Sequence, residues 1–383
     1  MTIIYPKLSL KTISLMGLLL WVLIRTAWVG DDAYISFRTI DNFIHGYGLR
    51  WNIDERVQTY THPLWLLLLS GFYFLTQEIY FTSLVISLIL TLVTVYILLV
   101  KIAQSEVAAL LAFIILLFSK AFIDFSTSGL ENPLTHLLIV LFAWVYLYAP
   151  LQQPITLFKL ALIAGFITLN RMDSLLLVLP VLVTVLLKQR SWNSLILLGL
   201  GFLPFMAWEL FSLIYYGFLF PNTAYAKLNT GIDHQALIQQ GLVYLQINLA
   251  FDPITLITIL IACSSVLFTQ RWSRLPWVIG IVFYLLYIVR VGGDFMVGRF
   301  LSAPLVIAVI ILSQYHGPRT LIAVSSLAGL FIFIGLLSPA PSIFSGQEYT
   351  GFIKFMHPDY HTRRSGIADE RGGYYQSSGL LKV

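Results

Sequence analysis

The chain has 383 residues, 58% of them hydrophobic and 11% charged, with a formal net charge of +5. An ordinary soluble domain carries about 25% charged residues, and a soluble core of this length could not enclose so much apolar surface, so lipid must solvate a large part of it. A soluble enzyme, a disordered chain and a disulfide scaffold are excluded, the last because Cys263 is the single cysteine.

A membrane-crossing helix needs roughly 20 apolar residues, with a range of about 17–25. The apolar runs predict eleven spans, at 12–29, 80–101, 106–122, 133–149, 158–170, 174–187, 194–214, 253–269, 276–290, 300–314 and 320–337. No small-residue cleavage site precedes Asp31, so 12–29 is expected as a retained first span. Residues 31–79 form the first outer loop. Within it Ala33, Phe37, Ile40, Ile44 and Tyr47 recur at helical spacing, while Arg38, Asp41 and Asn42 lie off the stripe. This predicts an amphipathic helix on the membrane surface. The stretch 62–75 is apolar all round but too short to span, and predicts a second juxtamembrane helix. The shortest runs, 158–170 and 174–187, are expected as half-helices in a hairpin. The predicted fold class is an all-α polytopic membrane protein. Residues 1–337 form the membrane domain and 338–383 a short outer tail.

Charge placement supports this threading. With the N-terminus cytoplasmic, the inside loops hold Lys7, Lys11, Lys101, Lys159, Lys188, Arg190, Arg271, Arg274 and Arg319, with Glu106 as their single acid. Merging 158–187 into one span would put Lys188, Arg190, Arg271 and Arg274 outside. The hairpin is therefore kept, and the odd count places the tail outside.

The remaining polar residues gather on the outer side. Beyond the first loop they form STSGLEN (126–132), NRMD (170–173), PNTAYAKLNT (221–230), RVGGDFMVGRF (290–300) and HTRRSGIADERGGYY (361–375). Ionisable residues near membrane depth are costly and usually mark a substrate pathway, so one outer site is expected. Asp31-Asp32 could cap a helix, but capping explains one carboxylate and not two at the lip of a bilayer. Such a pair suits a general base or a metal ligand. Lys227, Arg290 and Arg299 read either as snorkelling cations or as an anion clamp, and Gly292-Gly293 would let backbone N–H groups approach that anion. Glu131 reads as a cap or a site residue. Arg171 and Asp173 are expected to pair with each other, and His62 to have a structural or interfacial role. HExxH, CxxC, GxSxG and Walker patterns are absent, which removes the corresponding hydrolase, redox and nucleotide-driven chemistries. Nothing implies a nucleic-acid partner.

The stretch DDAYISFRTIDNFIHGYGLRWNIDERVQTYTHPLW resembles the first outer loop of the terminal arabinofuranosyltransferases of bacterial cell-wall synthesis and their relatives, which usually read DDAxI, GxGLxWN and ERVxGYTxPLW. TSGLEN, PNTAYAKLN, GGDFMVGRFL and GIADERG resemble further blocks in the same order. Gln58-Thr59 and His62 depart from the first pattern, and NRMDS departs from a usual RPDG. The resemblance implies a type C glycosyltransferase fold and transfer of a sugar from a polyprenyl-phosphate donor to a cell-envelope glycan or glycolipid acceptor. It implies a bacterial inner (plasma) membrane location with the site on the periplasmic or outer face. Asp31 or Asp32 would then be catalytic. Lys227, Arg299 and Arg290 would bind the donor phosphate, and Glu131, Arg171, Asp173, Tyr60, His62 and Asp294 would bind or position substrate. The second Asp would position the base, bind the acceptor or hold a divalent cation (Mg2+, Mn2+ or Ca2+). Many relatives continue into a large outer C-terminal domain where this chain has only 338–383. A transporter or flippase for lipid-linked sugars is the alternative, but it predicts inverted repeats and a midplane site.

Overall fold

The computed structural model describes residues 10–222, 225, 231–315, 318–338, 341–345 and 365–383. Among them the chain is all helical, and its one β element is an isolated parallel bridge between Met296 and Ala368. Helix α1 (Leu10–Thr26) turns by 89° into α2 (Asp31–Ile44). The amphipathic stripe behaves as expected through α2, with Ala33, Phe37 and Ile40 buried. It ends before Tyr47, which lies past the helix and is exposed. The short α3 (Pro63–Thr76) also forms where the apolar run predicts it.

Next come α4 (Ile79–Ile97), α5 (Glu106–Phe118), α6 (Lys120–Asp124), α7 (Asn132–Tyr148), α8 (Pro154–Asn170) and α9 (Leu175–Gln189). The hairpin of 158–187 is present, but neither arm is a half-helix: α8 runs 17 residues, and α9 with the turn before it (Met172–Gln189) is long and apolar enough to cross a membrane. Pro154 in the first turn of α8 starts that helix early, where the missing N–H costs nothing. Helices α10 (Trp192–Gly201) and α11 (Leu203–Tyr216) form one segment bent by 53°. An additional helix follows, α12 (His234–Phe251), set at 108° to α13 (Pro253–Phe268). Its glutamines (Gln235, Gln239, Gln240 and Gln246) dilute the apolar signal that marks the other helices. Helices α14 (Leu275–Arg290), α15 (Ser302–Ser313) and α16 (Pro318–Leu337) complete the bundle, and α17 (Glu370–Ser378) lies in the tail.

Three stretches, Ile79–Ile102, Met172–Gln189 and Trp272–Arg290, are helices long and apolar enough to cross a membrane, and the number rises to six if each bent pair is one span. Each of the eleven expected spans contains a helix, several of them shorter than a full crossing. Between apolar helices, association relies on close packing rather than on hydrophobic exclusion. Gly280 illustrates this: a Cβ there would stand 2.2 Å from the Leu177 carbonyl oxygen, so α14 can approach α9 this closely only with glycine.

The two ends of the bundle are chemically distinct. At one end Lys11 pairs with Glu106 (2.9 Å), the Gln104 amide donates to Tyr148 (2.8 Å), and Arg271 and Arg274 donate to the Gln314 carbonyl (3.3 and 3.1 Å). These residues belong to loops that the charge pattern assigns to a single side. At the other end the termini of α2, α3, α7 and α8 meet the loop before α15. The tail docks there too. Leu380 N–H donates to Ala27 O (2.9 Å), Ser378 Oγ to Val29 O (2.6 Å), and Val297 and Phe295 exchange backbone hydrogen bonds with Ala368 (3.0 and 2.6 Å).

Candidate functional site

Glu131 is the hub. It precedes the first turn of α7 and is fully buried. Its carboxylate accepts from Arg171 Nη1 at 2.6 Å and from Arg299 Nη2 at 3.3 and 3.4 Å, and His62 Nδ1 lies 3.4 Å away. Burial alone would raise its pKa, but Arg299, His62 and Arg171 outweigh that and hold it below the ordinary value. Burial also keeps His62 neutral, with a pKa lowered to about 4 despite Glu131. The lasting charges around Glu131 are therefore the two guanidiniums. The backbone secures the hub as well: Asn170 Nδ2 donates to the Glu131 carbonyl (3.1 Å) and to Thr135 Oγ1 (2.9 Å).

The loop before Glu131 fits against α2 through Gly129. Its φ is +77°, a left-handed conformation natural to glycine, and a Cβ there would come within 2.7 Å of the Ala33 Cβ. Trp65 Nε1 donates to the Gly129 carbonyl (2.9 Å), and Gly30 N–H donates to Ser128 O (3.0 Å). The start of α2 is thereby fixed against the hub.

Arg299 carries the hub to that start. Its Nη1 lies 3.6 Å from Asp32 Oδ2 and 3.9 Å from Asp294 Oδ2. Asp32 has a side chain 33% exposed, so one edge remains open. Its pKa is raised: burial is the largest cause, Arg299 opposes it, and Asp31, Asp294 and Glu131 add to it. Asp31 is exposed, accepts from Tyr374 OH (2.9 Å) and receives the Asp32 backbone N–H (2.8 Å).

The expected residues thus separate into groups. Asp32, Glu131, Arg171, Asp173, Arg299, Asp294 and His62 come together, with Asp31 beside them. The expected pairing of Arg171 with Asp173 is present (2.9 Å), and Arg171 also reaches Glu131. Tyr60 is set apart. Tyr216 OH donates to Leu49 O (2.7 Å) and so accepts from Tyr60 OH (2.8 Å), in a hydroxyl chain leading to α11. Arg290, on the last turn of α14, is exposed and makes none of the cluster's ion pairs. Lys227 lies outside the described residues. The idea of a glycine-pair cradle for an anion is overturned. The N–H groups of Gly292 and Gly293 are used by the end of α14, donating to Val289 O (3.3 Å) and Ile288 O (2.8 Å). Among the described residues no three His, Cys, Asp or Glu side chains are grouped to hold a metal ion, so no ligand set is assigned to a divalent cation.

Two residues that touch this region, Glu370 and Tyr374, escape selection from the sequence. The block GIADERG marks their neighbourhood, but no spacing rule ties Glu370 to Asp31 and Asp32, more than 330 positions away.

No family model matches the chain. Two curated relatives are similar to it. A terminal beta-(1->2)-arabinofuranosyltransferase of Mycobacterium tuberculosis is 29% identical over 419 residues, covering 94% of this chain and 64% of its own length. A terminal beta-(1->2)-arabinofuranosyltransferase of Corynebacterium glutamicum is 27% identical over 326 residues, covering 73% of this chain and 46% of its own length. The resemblance read from the motifs therefore extends over nearly the whole chain, which in turn spans less than two thirds of each of these relatives.

Proposed function

We propose that the chain is a membrane glycosyltransferase that moves a sugar from a polyprenyl-phosphate donor to a hydroxyl of an envelope glycan or glycolipid at the outer face. The observation that carries this reading is the graded exposure along one line of charges: Glu131 is sealed, Arg299 is nearly so, and Asp32 is open at its edge. A sealed pair fixes the orientation of an accessible carboxylate, which is what a general base requires. The names of the two relatives support the reaction class.

Of the acidic pair, Asp32 is assigned the base and Asp31 a positioning role, because Asp32 faces Arg299 while Asp31 is engaged by Tyr374. In the reaction the acceptor hydroxyl attacks the anomeric carbon and its proton passes to Asp32. The bond from that carbon to the phosphate oxygen breaks, and polyprenyl phosphate leaves with the electron pair. Positive character at the sugar develops beside Asp32 and Asp294. Negative charge grows on the phosphate, where Lys227, Arg290 and Arg299 supply compensation, and fixed cations count most in the transition state. In this reading all eleven apolar segments cross the bilayer, the Glu131 end faces outward, and residues 1–337 form the catalytic membrane domain with 338–383 as the outer tail.

The test is a reconstituted assay with a labelled polyprenyl-phosphate sugar. Transfer in the wild type that is abolished by Asp32→Asn supports the proposal. Translocation of label without transfer would make the chain a flippase instead. Lys227→Ala should raise the donor KM and leave the acceptor KM near its wild-type value; an unchanged donor KM and kcat would remove the clamp.

A further inference from the structure

Helix α17 brings a further carboxyl to the site. Glu370 is its first residue and Tyr374 lies one turn later, on the same face. Tyr374 donates to Asp31, which brings Glu370 to the start of α2. Glu370 is 9% exposed, and its Oε2 is buried without a hydrogen-bond partner among the described residues. A buried carboxylate in that condition is costly. Among the described residues the groups acting on it are all acidic: Asp31 and Asp32 from α2, Asp369 at its own helix cap, and Asp294 from the loop after α14. The nearby cations are occupied elsewhere, with Lys120 on Asp124 and Asp369, and Arg371 on Asp124.

We propose that Glu370 is a positioning residue of the site, which takes up the proton that Asp32 has received from the acceptor hydroxyl. This rests on the reading of Asp32 as the base. Ionised Asp32 first accepts the hydroxyl proton. Ionised Glu370 then receives it, directly or through a water, and Asp32 returns to its charged form for the next turnover. The proton finally leaves Glu370 for solvent, so no other reactant is consumed. The electrostatics agree with the geometry: burial, followed by Asp31, Asp32, Asp369 and Asp294, pushes the Glu370 carboxyl up to about 7. It therefore exchanges a proton near neutrality, where a relay is most effective. Docking of the tail thereby completes the site rather than only covering it.

The experiment uses the full chain in lipid nanodiscs, with polyprenyl-phosphate arabinofuranose as donor and a synthetic arabinofuranoside as acceptor. The wild-type kcat should rise with pH through a limb near 7. Glu370→Gln should lower kcat about tenfold, abolish that limb and leave the donor KM unchanged. Glu370→Asp should keep the limb and recover part of kcat. Infrared difference spectra of protein carrying isotope-labelled glutamate give a readout without turnover: subtracting the Glu370→Gln spectrum from that of the wild type should leave a protonated carboxyl band that titrates near neutrality. Glu370→Gln with a wild-type limb and kcat would overturn the proposal. So would loss of the limb in Glu370→Asp as well, which marks a packing role, or a wild type without the band. A wild type that shows the band but transfers no sugar from this donor counts against the proposed reaction, and leaves the proton site itself established.

Discussion

Two buried charge clusters lie at the same end of the bundle, and they differ in balance and in access. In the first, Lys120 bridges Asp124 and Asp369, and Arg371 forms an ion pair with Asp124 (2.6 Å) and donates to Ser345 Oγ (2.8 Å). Among the described residues two cations face two carboxylates, and these four side chains are each at most 4% exposed. In the second, the guanidiniums of Arg171 and Arg299 face the carboxylates of Glu131, Asp173, Asp294 and Asp32, and Asp32 opens to solvent. The closed set gains Coulomb energy from these pairs and fastens the tail to the bundle. The open set, mostly acidic among the described residues, has an accessible carboxylate at its edge. Buried ion pairs are weak evidence of net stabilisation, so it is the open edge at Asp32 that separates the second cluster from the first.

The contrast between the two clusters makes four expectations. The largest effect is expected from Asp32→Asn. It should lower kcat by about 10^2- to 10^4-fold, the usual contribution of a general base, with little change in unfolding midpoint. A variant with wild-type turnover would move the chemistry elsewhere. In the closed cluster, Arg371→Met should destabilise by about 3–5 kcal/mol because it leaves a buried acid uncompensated. Adding Asp124→Asn, which restores the balance between Lys120 and Asp369, should recover part of that loss in denaturant titrations. If the double variant is as unstable as the sum of the single ones, the two side chains are not acting as a unit.

Next in size, Arg299→Lys keeps the charge and loses the fork that reaches Glu131 and Asp32 together. A fall in kcat of about tenfold is expected, with donor binding retained. The smallest effect is a shift in pH dependence. Asp32 must be ionised to act, and burial, with the neighbouring acids, raises its pKa against the pull of Arg299. The acid limb of kcat/KM should therefore lie above the ordinary aspartate range, with activity lost as pH falls through it. A limb at the ordinary value would show that Asp32 is better solvated than its surroundings imply.

Much of this arrangement is legible in the sequence. The apolar runs locate the helices because a span must satisfy its backbone internally and present apolar side chains to lipid. The stripe from Ala33 to Ile44 locates α2 for the related reason that one face must be buried. Single clusters such as STSGLEN and NRMD mark the site because charges at membrane depth are rare and costly. Helix α12 escapes this reading, since its glutamines remove the hydropathy contrast. The disposition of the glycine pair escapes it too: sequence shows that Gly292 and Gly293 can turn, but not that the end of α14 has taken their N–H groups.

An all-helical membrane chain, the sorting of its charges between two sets of loops, and the identity of most residues in the open cluster can be read from the amino acids alone. These follow from local composition and from the cost of polar groups in lipid. Which acids meet which cations is settled by packing in three dimensions. Glu131 sits between Arg171 and Arg299, Tyr60 turns away toward Tyr216, and Glu370 returns from the end of the chain to Asp31 and Asp32. Such contacts join residues hundreds of positions apart, and their energies depend on distance and burial, which no local pattern encodes.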